Sequence, residues 1–249
     1  MADMNLSEKR GFMNKKIVWL LLVGSIFSVP GFCSELEDAI TKGSEYVQKK
    51  EYDKAVVEYE RAVKIDPRSS KAYLLLGLTY ANVGKLDLAV KYTSNSIVLE
   101  PTYAGYHNLG LIYANQGDYD RAKETYGKAL EINPSSFRAW YEMGLLEAGN
   151  GFFREAVAAY QKAVELNHAF PEAHLGLGSA NYWNGDKDGA MAEVGALREL
   201  KHKDEADALE SWINDKEAKK TTQAQAAAAA SQAPAVKAAA PEAPAPQKT

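Results

Sequence analysis

Cysteine is almost absent from this sequence. Cys33 is the single thiol among 249 residues, so no internal disulfide can form and stability must come from packing. Histidine is scarce as well. The four, His107, His168, His174 and His202, form no i, i+4 pair with metal-site spacing, and no His-Glu-x-x-His occurs. His168 and His174 lie across Pro171 from each other, which does not suit a shared ligand set. There is no G-x-S-x-G, no phosphate-binding glycine loop and no dinucleotide fingerprint. Positive charge is not in excess: 29 lysines and arginines against 33 aspartates and glutamates give a net charge of -4. With no basic stripe along any predicted helix, nucleic acid is not an expected partner. These absences leave no catalytic residue, metal ligand or cofactor to name, and the expectation is a protein that is not an enzyme.

What is present begins with an address. From Met13 the chain reads MNKKIVWLLLVGSIFSVPGFCSE, with Lys15 and Lys16 ahead of the apolar run Ile17 to Val29, then Pro30, Gly31 and small residues. That is the layout of a secretory signal peptide. The run falls short of the roughly 20 residues needed to span a bilayer as a helix. Residues 1–12 do not fit the pattern, which points to Met13 as the true start. Export to the periplasm or cell envelope, with cleavage near Cys33 or Ser34, is the expectation. Two alternatives stay open: an uncleaved membrane anchor, and lipidation of Cys33, against which the bulky Phe32 counts.

The middle of the chain is periodic. The segments YLLLGLTYANVGKLDLAV, YHNLGLIYANQGDYDRAK and WYEMGLLEAGNGFFREAV align an aromatic (Tyr73, Tyr106, Trp140), a mid-helix glycine (Gly77, Gly110, Gly144) and an alanine (Ala89, Ala122, Ala156). Alanines at 55, 89, 122, 156 and 190 recur every 33 or 34 residues, and Pro67, Pro101 and Pro134 close three units. The first unit keeps Gly43, Tyr46, Ala55, Tyr59, Ala62 and Pro67, and the fifth keeps Gly178 and Ala190. Over residues 35–202 the pattern resembles the tetratricopeptide repeat. That resemblance implies an all-α, right-handed α-solenoid of about five helix-turn-helix units, near 36–69, 70–102, 103–136, 137–170 and 171–202.

Each unit reads as two helices, Tyr103 to Gln116 and Tyr119 to Ile132 in the third. Gly84, Gly117 and Gly185 supply the left-handed residue that ends the first helix. Ser69-Ser70, Thr102 and Ser135-Ser136 stand where N-caps are needed. Glycine inside a helix costs about 1 kcal/mol relative to alanine, so Gly77, Gly110, Gly144 and Gly178 at one phase imply close helix approach. The reading places Gly110 against Ala122, with Leu109, Tyr113 and Tyr126 filling the rest. These slots define the fold and not the ligand.

In such a solenoid the first helices line the concave surface. The residues beside the core slots there are Leu74, Leu78 and Asn82, then His107, Leu111 and Asn115, then Tyr141 and Leu145, with Tyr182 and Trp183 positioned to extend the wall. The floor formed by Leu78, Leu111 and Leu145 is apolar, and Asn82 and Asn115 add amides able to pair with a partner's backbone. An apolar strip with a polar rim is a common mark of a protein-binding site. The same leucines also serve, in the alternative reading, to pack adjacent first helices. Family members that hold acidic chaperone tails use lysine, arginine and asparagine as a carboxylate clamp. Leucines stand here instead, with Asn108 and Arg138 as partial matches, so an acidic tail is not the expected partner.

At the C-terminal end, residues 203–220 have helical periodicity through Ala208, Leu209, Trp212 and Ile213 and read as a capping helix. From Thr221 to 249 the composition turns to alanine, proline, glutamine and lysine, which predicts disorder. The functional expectation is an envelope scaffold that holds a peptide or amphipathic helix of another protein in its concave groove. The rival is a membrane-anchored structural component that self-assembles through its repeats.

Overall fold

A computed structural model of the chain describes residues 30–232, with side chains from Glu35 to Gln225. The export segment, its proposed start and residues 233–249 lie outside the described residues. Those described form helices joined by short turns: α1 Pro30–Gln48, α2 Tyr52–Ile65, α3 Ser70–Asn82, α4 Leu86–Leu99, α5 Tyr103–Gln116, α6 Tyr119–Ile132, α7 Phe137–Gly149, α8 Phe153–Leu166, α9 Pro171–Trp183, α10 Lys187–Glu199 and α11 Lys203–Gln232. No strand occurs among the described residues. The described helices gather into two compact units, one ending at Gly151 and the other beginning at Phe152.

In the first unit, α1–α2, α3–α4 and α5–α6 are hairpins. Each second helix packs on the first helix of the next, ending with α7 against α6. The apolar positions explain the stacking. Ala55, Tyr59, Leu76, Tyr80, Ala89 and Ile112 form one buried cluster, and Ala39, Ala62 and Ala72 another. Tyr126 is 1% exposed and Ala122 is fully buried.

Close approach within the hairpins is real, but its partner differs from the expected one. A Cβ on Gly110 would lie 2.6 Å from Tyr126 Cδ1, and Ala122 is not among its nearest neighbours. The flat face of the tyrosine, one helical turn beyond Ala122, is what occupies the space. Gly43 meets Tyr59 in the same manner in the first hairpin. The alanines at 55, 89 and 122 are buried one turn earlier, where small side chains let the helices converge.

Caps fall where the sequence places them. Ser69, Thr102 and Ser136 accept from the backbone N–H groups of Ala72, Gly105 and Ala139. Asp118 and Asp186 cap α6 and α10 in the same way. Two buried straps tie neighbouring helices. Tyr80 donates to Glu60 at 2.8 Å, and burial together with that carboxylate pushes the phenol up to about 12. Glu147, 3% exposed, receives the Tyr119 hydroxyl at 2.5 Å and the Lys123 ammonium at 2.7 Å. A buried carboxylate is tolerable only with partners of this kind.

In the second unit α9 packs on α8, α10 and α11. Its core joins Ala190, Val194 and Leu197 of α10 to Ala206, Leu209 and Ile213 of α11. A Cβ on Gly178 would meet Leu209 Cδ2 at 2.6 Å, so α11 does cover the last repeat. Its buried face uses Ala206 rather than Ala208, which is exposed. His174, 5% exposed, sits 2.6 Å from the Glu193 carboxylate through Nδ1 and 3.0 Å from the His168 carbonyl through Nε2. The carbonyl accepts and an ionised carboxylate does too, so this setting favours the doubly protonated ring. The hydrogen bond from Glu193 accordingly raises the His174 pKa, against the effect of burial.

One expectation about the C-terminal end needs correction. Helix α11 continues to Gln232, well past Lys220, where disorder was expected to begin. Alanine, glutamine and lysine are good helix formers, and the first helix-breaking residue of the segment is Pro234.

The turns between paired helices need a left-handed residue. Gly84 (φ 78°), Gly117, Gly151 and Gly185 provide it, but Lys50 (φ 59°) and Lys201 (φ 67°) occupy the same conformation. At Lys50 the turn closes with the same bonds as at Gly84: Glu51 N to Tyr46 O and Lys85 N to Tyr80 O, both 2.9 Å. A side chain there carries steric strain of about 1–2 kcal/mol, partly offset by glycine's greater entropy loss on folding. Lys50→Gly should therefore raise unfolding stability by about 0.5–1 kcal/mol in denaturant titration. An unchanged or lowered midpoint would contradict this reading of the turn.

Candidate functional site

The eight residues expected to face a partner lie on α3, α5 and α7, all in the first unit, and α5 touches both of the other two. Leu74, Leu78, His107, Leu111 and Tyr141 are half-buried, and Leu145 is 43% exposed. The wall is therefore apolar, with solvent access concentrated at Leu145. The amides are less available than the sequence implied. Asn82 Nδ2 donates to Leu78 O at 3.1 Å, back onto its own helix. Asn115 lines a separate open cleft at the turn end of the hairpins, bounded by Gly84, Asp87, Gln116 and Asp118. Asp87 in that cleft accepts from Gln116, and Asp118 is held by Arg121. Tyr182 and Trp183 belong to the second unit, where they pack with Trp212 of α11.

A polar cluster at the centre of the wall was not evident from the sequence. His107 stacks on Tyr103 at 5.4 Å and tilts against Tyr126 at 6.0 Å. Its Nε2 is buried and has no hydrogen-bond partner. Burial first, then the Arg138 guanidinium, lowers its pKa from the ordinary 6.5 and so favours the neutral ring. Glu142, also on α7, has its pKa raised by burial, against the pull of Arg138. Only the i, i+4 pairing of Arg138 with Glu142 was there to be noticed. The second partial clamp residue is spent: Asn108 Nδ2 donates to Ala104 O at 2.8 Å.

This face offers a partner apolar area, one buried ring nitrogen seeking a hydrogen bond, and an arginine at its edge. None of that is bond-breaking chemistry. Among the described residues no group of three histidines, cysteines or acids is placed to hold a metal, and no helix is long and apolar enough to cross a membrane.

The known proteins that this chain resembles agree on its class. Family models described as tetratricopeptide repeat match residues 70–101 and 103–136, and one described as TPR repeat matches 43–84 and 150–185. Together they take in more than half of the chain. The chain belongs to the tetratricopeptide repeat (TPR) family.

Among curated TPR relatives it is 32% identical over 96 residues to Hsp70-Hsp90 organizing protein 2 of Arabidopsis thaliana, which is 38% of this chain and 17% of that protein. The chain thus spans about a sixth of that relative's length. Its fold is similar to the crystal structure of MamA protein (24% identity, TM-score 0.62, 68% of this chain and 93% of that one). It is also similar to YrrB, described as a TPR protein with an unusual peptide-binding site (16% identity, TM-score 0.59, 72% and 97%). These two likenesses establish the TPR fold.

The histidines of the two units titrate with opposite sign. His107 has a lowered folded pKa, so its contribution is present above 6.5 and is lost as pH falls from there through the folded value. His174 has a raised pKa, so its contribution is complete below 6.5 and is lost as pH rises through the folded value. Measured by denaturant unfolding between pH 5 and 8, His107→Phe should flatten the acid loss, and His174→Gln should remove the gain on acidification. Profiles parallel to wild type in both variants would refute these assignments.

Proposed function

We propose that this TPR protein is a non-enzymatic interaction scaffold of the bacterial cell envelope, holding a peptide or amphipathic helix of a partner against α3, α5 and α7. The observation that carries the proposal is the apolar wall of Leu78, Leu111 and Leu145 interrupted by the buried, unpartnered His107 Nε2. A polar group left unsatisfied in an apolar surface favours an occupant that hydrogen-bonds to it. Leu145, more than a third exposed, is a natural anchor point.

The relatives named for Hsp70 and Hsp90 raise the question of chaperone tails. Leucines at the wall and the internally bonded Asn108 argue for an apolar or amphipathic partner instead. Placement in the envelope rests on the segment from Lys15 to Ser34, which has the layout of an export signal. The same apolar run, Ile17 to Val29, sustains the second reading, a membrane-anchored component that assembles with copies of itself.

The test is capture by crosslinking from an envelope fraction, comparing wild type with Leu111→Glu, Leu145→Glu and the control Val57→Glu, whose site on α2 is 63% exposed. Charge in the wall should lower recovery of the bound partner about tenfold or more, equivalent to about 1.4 kcal/mol. The control should leave recovery unchanged. Equal capture by all of them would overturn the proposal.

A further inference from the structure

The second unit carries an aromatic surface that its packing does not exhaust. Trp183 ends α9 and is 49% exposed. It stacks on Phe153 at 5.8 Å with an interplanar angle of 20°, and meets Tyr182 and Trp212 edge-on at 5.6 and 6.0 Å. Tyr182 and Trp212 are themselves edge to face at 5.2 Å. The Lys216 ammonium lies over both indoles, 5.0 Å from Trp183 and 5.6 Å from Trp212. Glu217, beside it on α11, fixes the arrangement by accepting from Tyr182 at 2.9 Å and pairing with Lys187 at 3.4 Å. Tyr182 and Trp212 serve the packing of α11 on α9. The open half of Trp183 and the stem of Lys216 do not.

Closely set indole and phenol rings are the surface on which extended, proline-bearing chains dock, because proline rings lie flat on aromatic faces and the extended form loses little entropy on binding. The same chain carries such a segment. Beyond Gln232 come Pro234, Pro241, Pro244 and Pro246, with Glu242 among them.

Reach decides whether that segment can return. At about 1.5 Å per residue, the part of α11 from Trp212 to Gln232 is about 30 Å long. In an extended proline-type conformation of about 3.1 Å per residue, Pro241 lies about 28 Å beyond Gln232, and Pro246 about 43 Å. A chain that turns back along α11 thus brings Pro241 to Pro246 level with the indoles. Glu242 then comes within range of Lys216, whose ammonium lies over the two indole rings. Tethering makes even a weak contact count, since a short covalent link holds the ligand at about millimolar effective concentration.

We propose that the aromatic surface of Tyr182, Trp183 and Trp212, with Lys216, is an intramolecular docking site for the proline-bearing segment 241–246 of the same chain. Docking folds the tail back along α11. A partner that takes the tail uncovers this surface, and a partner that takes the surface frees the tail. The proposal does not depend on the groove of the first unit.

The test reads the tryptophan indole N–H signals of the full chain by nuclear magnetic resonance, assigned through Trp183→Phe and Trp212→Phe. Replacing Pro241, Pro244 and Pro246 together with alanine leaves every helix intact, because all three lie beyond α11. The expected result is a shift of the Trp183 and Trp212 signals in the tail variant, with Trp140 unmoved, and no change on tenfold dilution of wild type. Signals of Trp183 and Trp212 that match between wild type and the tail variant would overturn the proposal. So would a shift that disappears on dilution, which would assign the contact to a second copy.

Discussion

The architecture depends on one steric condition: inside a hairpin the two helices come so close that a side chain of the second, a tyrosine ring in the first and third hairpins and Thr93 in the second, fills the space of a side chain on the first. Gly110 and Tyr126 show it plainly, and Gly43 with Tyr59 repeats it. The helix-propensity penalty of about 1 kcal/mol per glycine is accepted because the ring fills the gap at full density and excludes water. Everything else follows from that spacing. The small alanines one turn earlier let the helix pair converge, and the next hairpin finds a flat apolar surface to stack on.

Stacking alone leaves polar groups stranded between helices, and the chain deals with them in pairs. Tyr80 with Glu60 joins α3 to α2, and Glu147 with Tyr119 and Lys123 joins α7 to α6. His174 with Glu193 does the same for α9 and α10. Against that background His107 Nε2 stands unfinished, as do Thr93 Oγ1 and Gln116 Oε1 elsewhere in the first unit. The position of His107 in a wall of half-buried leucines, unlike the fully buried Thr93 on α4, is why the first unit's face reads as a surface built for an occupant.

How much of this was legible in the sequence follows from the range of each interaction. Local rules worked well: the helices Tyr103–Gln116 and Tyr119–Ile132, the caps Ser69, Thr102 and Ser136, and the turn glycines all depend on neighbours within a few residues. Contacts between helices were read less accurately. The periodic slots announce close approach, but one turn separates Ala122 from Tyr126, and spacing alone does not choose between them. On α11, Ala206 and Ala208 lie two residues apart on nearly opposite faces, and Ala206 is the buried one. Lys50 and Lys201 hid two turns because lysine carries no local signal for a left-handed backbone. The end of α11 lies beyond the point where low complexity predicts disorder, because alanine and glutamine favour helix until proline intervenes. The His107, Arg138 and Glu142 cluster was beyond reach, since it joins two repeats and appears only when α5 and α7 are laid side by side.

The most direct measurement compares two glycines in one hairpin. Gly110 faces the Tyr126 ring, whereas a Cβ on Gly127 of α6 would meet nothing within 4 Å. Alanine at either position improves helix propensity by about 1 kcal/mol. If close approach governs the fold, Gly127→Ala raises unfolding stability by about that amount. Gly110→Ala instead lowers it, because overpacking of about 1–3 kcal/mol outweighs the gain. Stabilisation by both substitutions would contradict the central claim that the glycine is there to admit the ring.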